Sequence, residues 1–192
     1  YTLSDTLSLH DALPIFSITF APNPAESGLG YYRRLASANS LFGWRELATI
    51  ANLARTKASF FGSPDYVAGE LGLDVGWARL AAASEAHMRS WRGRRRLHGD
   101  AVCPMCLAED AWLRRHWEHS LVTACPVHGV LLLDRCDDCD GLLPSHRERV
   151  EWCECGKDLR TAQTARCSSS QLWLSTLIAS EGTSAGAVQP LL

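Results

Sequence analysis

No stretch of this 192-residue chain stays apolar for the roughly 18 to 20 residues that a bilayer-spanning helix needs. Runs such as Val130 to Leu133 and Leu80 to Ala83 stop far short, so no membrane partner is expected. The first residue is Tyr rather than Met, and no basic segment leads into an apolar one, so a secretory leader is not expected either. That points to a reducing cytoplasm, where eight cysteines are poor material for a disulfide framework. A Gly-rich phosphate loop and a G-x-S-x-G nucleophile turn are also missing, which removes two common routes to catalysis. With 14 Gly and 8 Pro, the chain is not fibrous or low-complexity.

What is present permits a packed core, since 46% of residues are hydrophobic and only 21% charged. Residues 1–17 are set apart: Ser8-Leu-His-Asp-Ala-Leu-Pro-Ile15 resembles translated sequencing-adapter read-through, and the span is treated as a non-native lead-in to a chain expected to be a fragment. From 18 to 100 the pattern is helical. Ala25-Glu26-Ser27 opens a segment with Leu29, Tyr32, Leu35 and Ala36 at helical spacing, and Gly43 leads to a second one over Trp44 to Leu53. Ser63-Pro64-Asp65 reads as a further helix start. The residues after it give an apolar helix, a turn at Gly72 and a second helix from Val75. That cadence suits a helix-turn-helix, and equally two short helices of a helical core.

Arg89, Arg92, Arg94, Arg95 and Arg96 cluster around Trp91. Such a group could track a phosphate backbone with the indole available for stacking, meet an acidic partner, or simply face solvent. Regional charge bears on this. Residues 1–100 carry eleven basic and nine acidic side chains, whereas 101–159 carry six and eleven. Bound zinc would add roughly −3 to the second region, because seven thiolates outweigh two divalent ions. Nucleic-acid contact is therefore expected from the helical region, and protein contact from the acidic one.

Four ligand pairs occupy that acidic region: Cys103-Pro-Met-Cys106, Cys125-Pro-Val-His128, Cys136-Asp-Asp-Cys139 and Cys153-Glu-Cys155. Each pair sets two ligand side chains on one turn of chain, and two pairs complete a tetrahedron around zinc. Two structural Zn2+ ions are expected. Sequential pairing gives one site of three cysteines and a histidine and a second of four cysteines, while a cross-brace would join alternate pairs; the sequential arrangement is favoured. Both leave no position for water, which argues against a catalytic metal. His116-Trp-Glu118 and His146-Arg-Glu148 begin a deaminase signature that no P-C-x-x-C completes. His116, His119 and His146 remain substitute ligands, and Cys167 a plain thiol. Ala108 to Ser120 reads as a helix bridging the first site, with Trp117 in the core, and Val130 to Leu133 as a short strand. The expected fold is mainly α with small zinc-stabilised β-hairpin modules: a helical region over 18–100, tandem zinc-finger-like sites over 101–159, and the start of a short or truncated helical region over 160–192, with a helix over Ser170 to Ala179.

The order of these motifs carries a resemblance. Cys103-Pro-Met-Cys-Leu-Ala-Glu-Asp, Arg115-His-Trp117, Thr123-Ala-Cys125-Pro-Val-His128-Gly-Val, Cys136-Asp-Asp-Cys139 and Cys153-Glu-Cys155-Gly156 are similar to the TniQ family. Pro22-Asn-Pro24-Ala-Glu26-Ser27, with Arg34-Leu35-Ala36 and Asn39, resembles that family's amino-terminal motif. The resemblance implies a non-catalytic adaptor in DNA transposition and recombination, acting beside a transposase and an AAA+ ATPase regulator. In CRISPR-associated members it also implies an RNA-guided effector as partner, and a homodimer where a further carboxy-terminal helical domain is present. A zinc-containing DNA-binding transcriptional regulator is the alternative, with DNA itself as partner.

Overall fold

Ser27 sets the start of the first helix, α1 (Gly28–Ala38). Its Oγ accepts from the Gly30 N–H at 2.9 Å, satisfying one of the donors that a helix start leaves without partners. Glu26 accepts from the Asn23 N–H at 2.9 Å and from Nε and Nη2 of Arg34 at 3.0 and 2.7 Å. At the far end, Asn39 exchanges hydrogen bonds with the Ile18 backbone and donates to the Leu35 carbonyl. The amino-terminal motif residues are thus the ones that fasten the incoming chain to α1. The computed structural model describes residues 16–91, 93–96 and 98–181. The lead-in read over 1–17 lies outside them except for its last two residues, of which Phe16 is buried in a core.

Four more helices complete the first half: α2 (Trp44–Ile50), α3 (Lys57–Gly62), α4 (Pro64–Leu71) and α5 (Val75–Arg89). Helices α1, α2 and α4 stop in the same way. Ser40, Asn52 and Gly72 take positive φ, and the next N–H reaches back to the carbonyl five residues earlier, as in Leu41 to Ala36, Leu53 to Ala48 and Leu73 to Ala68. This is why α2 ends at Ile50 rather than at the expected Leu53. The Asp74 carboxylate caps α5 through the Trp77 N–H at 3.1 Å. Helices α4 and α5 meet at Gly72 as the sequence suggested, an arrangement common to both readings of that segment. Edge-to-face rings of Tyr31, Tyr32, Phe60 and Phe61 fill the core between these helices. The α1–α5 crossing is tight: a Cβ on Gly28 would lie 2.4 Å from the Ala81 carbonyl oxygen.

The second half packs around Trp117, Leu113, Leu143 and Leu159, all at most 1% exposed, together with buried cysteines. The described residues contain no sheet there. Three of the four ligand turns are hairpins one bridge deep, with Ala124 paired to Leu131, Arg135 to Leu142 and Trp152 to Asp158. The run Val130 to Leu133 accordingly forms single bridges to Arg166, Ala124 and Val102 rather than a strand. The helix read over Ala108 to Ser120 is not there. Helix α6 (Pro104–Glu109) begins earlier, within the Cys103 turn, and the chain extends at Asp110. It extends because its backbone is used elsewhere: Ser27 N–H donates to Leu113 O at 2.9 Å and Arg115 N–H to Ala25 O at 2.8 Å. Only Arg115–Glu118 recoils, as a 3-10 turn. A last helix, α7 (Ser169–Glu181), docks by Ile178 and by Ser175 Oγ, which accepts from the Ala124 N–H at 3.1 Å.

Buried ions stitch the halves together. Asp100 Oδ2 accepts from Arg33 of α1 at 2.8 Å and from Arg147 at 2.6 Å. Burial pushes the Asp100 pKa up, yet the two guanidiniums outweigh it and hold the carboxyl below its ordinary range. Arg95 in turn pairs with Glu85 of α5 and Glu118 of the 3-10 turn. Among the described residues, no helix is long and apolar enough to cross a membrane.

Candidate metal centres

Helix α6 brings the first ligands together. Cys103 stands at its N-cap and Cys106 one turn on, so both thiols face the Cys125–His128 turn, which is closed by Cys125 N–H donating to Val130 O at 2.8 Å. His128 presents Nδ1 to all three sulfurs, at 3.5 Å from Cys103, 3.3 Å from Cys106 and 3.6 Å from Cys125, while Cys106 and Cys125 lie 3.5 Å apart. The second set gathers Cys136, Cys139, Cys153 and Cys155, with Cys136 to Cys155 at 3.7 Å and Cys139 to Cys153 at 3.8 Å. Within each set all ligand atoms fall inside 4.8 Å of one another. The pairs are therefore grouped sequentially and not as a cross-brace.

The spacing discriminates a metal site from a disulfide cluster. A bonded pair would put the sulfurs about 2.05 Å apart. A tetrahedron with zinc-to-sulfur bonds of about 2.3 Å and a zinc-to-nitrogen bond of about 2.05 Å has edges of about 3.8 Å between sulfurs and about 3.6 Å from sulfur to nitrogen. The observed separations match the tetrahedron, so both sets fit a tetrahedral metal ion bound by four protein ligands. The thiols also compete for protons: hydrogen bonds from Cys103 and then Cys106 pull the Cys125 pKa down, whereas hydrogen bonding to Cys103 pushes that of Cys106 up. A cation at the centre would resolve that competition by displacing the protons.

The sets differ in shelter. Cys103, Cys106 and Cys125 are buried, but in the second set Cys139 and Cys155 are exposed. The first set also has an orienting group that the ligand spacing does not reveal, Glu109, whose Oε1 lies 2.9 Å from His128 Nε2. A carboxylate there fixes the ring so that Nδ1 faces the sulfurs. The available signal was positional, since Glu109 follows Cys106 by three residues on α6 and shares its face.

The remaining described histidines and Cys167 join neither set. Burial lowers the His116 pKa to about 4, and its Nε2 has no hydrogen-bond partner. His146 lies 3.5 Å from Glu154 on the surface. The arginine cluster divides. Arg95 is committed to Glu85 and Glu118, and Arg96 donates to the carbonyls of Trp117, at 2.9 Å, and Val122. Both guanidiniums thus brace the seam between the two halves. Arg89 and Arg94 are exposed, and Arg92 lies outside the described residues.

A family model described as TniQ matches residues 17–132. The match spans the helical half, the seam except Arg147, and the whole first ligand set, and it stops before Cys136. A comparison with curated proteins found no match.

Proposed function

This chain belongs to the TniQ family of transposition-associated proteins, and from that premise we propose that it is a non-catalytic adaptor, holding an AAA+ transposition regulator near a chosen DNA site. The observation that carries the reading is the family match over a fold whose two ligand sets are each closed by four protein side chains. In this reading both sets hold structural Zn2+, and their binding free energy is part of the folding free energy of the second half. With every position taken by protein, the ions brace turns rather than activate water. An adaptor needs two contact surfaces. Exposed Arg89, the last residue of α5, and Arg94 in the segment after it suit nucleic acid or an acidic partner, and the acidic second half suits a basic protein face.

The complete gene product should co-purify with the neighbouring ATPase, or with an RNA-guided effector where one is encoded beside it. Its deletion should abolish targeted insertion while strand transfer by the transposase persists. The pair of helices α4 and α5, meeting at Gly72, favours a second reading as a DNA-binding transcriptional regulator. Nanomolar recognition of one operator by a protein that binds neither ATPase nor effector would replace the adaptor with that regulator.

A further inference from the structure

Cations on the seam are unequally answered. A single carboxylate, Asp100, is shared by Arg33 and Arg147. Arg33 is only 4% exposed, yet its Nε has no hydrogen-bond partner. Lys57 has Glu85 as its nearest carboxylate, at 3.9 Å, and Arg95 already occupies that group. Arg45 is exposed, lies over the Trp44 ring at 5.4 Å, and forms no ion pair among the described residues.

These groups converge on one opening. A cleft of about 110 Å³ runs between the Phe42–Arg45 turn and the Ser145–His146 loop, walled by Arg33, Arg45, Lys57 and His146 and by the rings of Phe42 and Trp44. No described residue lining it is acidic. A cavity of about 170 Å³ continues inward past Arg33 and Lys57 toward Asp100 and Glu118. There Arg95 and Arg96 also line the wall, and both carboxylates are already answered, Asp100 by Arg33 and Arg147 and Glu118 by Arg95, so they do not neutralise the cations at the mouth. Lys57 registers the imbalance: burial, and then the charge of Arg95, lower its pKa. Beside the mouth the Phe42 ring stands 75% exposed, with its backbone N–H held by Glu46 at 2.5 Å.

We propose that this cleft binds a phosphodiester of an unpaired nucleic-acid strand, with Arg45 and Lys57 on the phosphate and Phe42 stacking a neighbouring base. The chemistry selects that ligand in two steps. Clustered cations with an open mouth suit an anion, and the volume admits one phosphate. The exposed Phe42 ring beside the cations can stack on the base next to that phosphate, and base faces are free in an unpaired strand but already stacked within a duplex. The site is separate from Arg89 and Arg94, and the proposal stands whether or not the chain is an adaptor.

The test is fluorescence anisotropy of the full metal-loaded chain with a labelled 20-nucleotide oligothymidylate over a salt series. Phe42→Ala should weaken binding about tenfold, the typical loss of one stacked base. Arg45→Ala should weaken it and flatten the log-log salt dependence by about 0.7, the contribution of one single-strand phosphate contact. Both side chains are exposed, so the melting temperatures of the variants should match that of the parent. Unchanged binding in both variants overturns the proposal. So does a duplex of the same length that binds as tightly as the single strand. Tighter binding of a polyglutamate peptide would reassign the cleft to an acidic protein, and thymidine monophosphate binding as tightly as the oligomer would reassign it to a free nucleotide.

Discussion

Arg147 donates to Asp100 across the seam at 2.6 Å with only 1% of its side chain exposed. That single contact ties the loop between the second pair of ligand turns to the connector leaving the helical half. Arg33 completes it from α1, so three chain segments meet on one carboxylate oxygen. The arrangement tolerates burial because each charge has a partner, and it becomes costly when one partner is removed.

Asp100→Asn should therefore destabilise the protein by about 3–5 kcal/mol, since two buried guanidiniums would lose the only carboxylate paired with them among the described residues. Because the folded pKa of Asp100 is depressed, its contribution is complete above the unfolded value of about 3.9 and is lost as pH falls through the folded one. Urea denaturation of wild type and variant from neutral pH downward checks both statements. A variant as stable as wild type at pH 7 would show that the triad does not hold the halves together.

Elemental analysis of reduced protein should return two zinc ions per chain, and the two should differ in lability. Chelator is expected to strip the set with exposed Cys139 and Cys155 first, so Cys139→Ser should lose one equivalent while leaving the buried set loaded. Glu109→Gln should weaken retention by the buried set alone, by about 10- to 100-fold, through loss of the orienting bond to His128 Nε2. Equal stripping rates at both sets would contradict this ordering.

The arginines should separate by role. Replacing Arg89 and Arg94 together with Ala should leave the melting temperature unchanged, and each phosphate contact so removed should lower the duplex salt slope by about 0.9. Arg95→Ala should do the reverse, lowering stability by leaving Glu85 and Glu118 buried without their shared cation while the slope stays put. A stability loss confined to the Arg89/Arg94 variant would invert the assignment.

His116 supplies a pH signature. Its pKa falls from 6.5 to about 4 on burial, so between those values the unfolded chain binds a proton that the folded chain resists. Stability should fall as pH drops through that window, by on the order of 3 kcal/mol from this residue. His116→Gln cannot titrate, and its stability relative to wild type should rise steadily as the pH is lowered from 7 to 4. Parallel curves for the two proteins would mean that His116 is charged or solvated in the folded state.

Helix starts with a local chemical cause were legible. Ser27 and Pro64 act within three or four residues of themselves, and α1 and α4 begin where they indicate. Helix ends were less so, because Ser40 and Asn52 turn left-handed without the glycine that marks Gly72. The segment from Asp110 to Arg114 misled for a different reason. Its helical pattern is overruled by backbone bonds to Ala25 and Ser27, partners more than eighty positions away in sequence.

The sequence by itself determined the candidate ligand residues and the helical character of the first half, because tight spacing and 3.6-residue periodicity are local properties that need no knowledge of the rest of the chain. Only the tertiary structure decided which ligand pairs share a centre, that Glu109 turns His128, and that Arg95 and Arg96 face inward. It alone gathered Arg33, Arg45, Lys57 and Phe42 at one opening. Long side chains with several donors are not committed by their neighbours in sequence: a guanidinium goes to whichever carboxylate or carbonyl the fold brings within reach, and that depends on how two separately packed cores come to rest against each other.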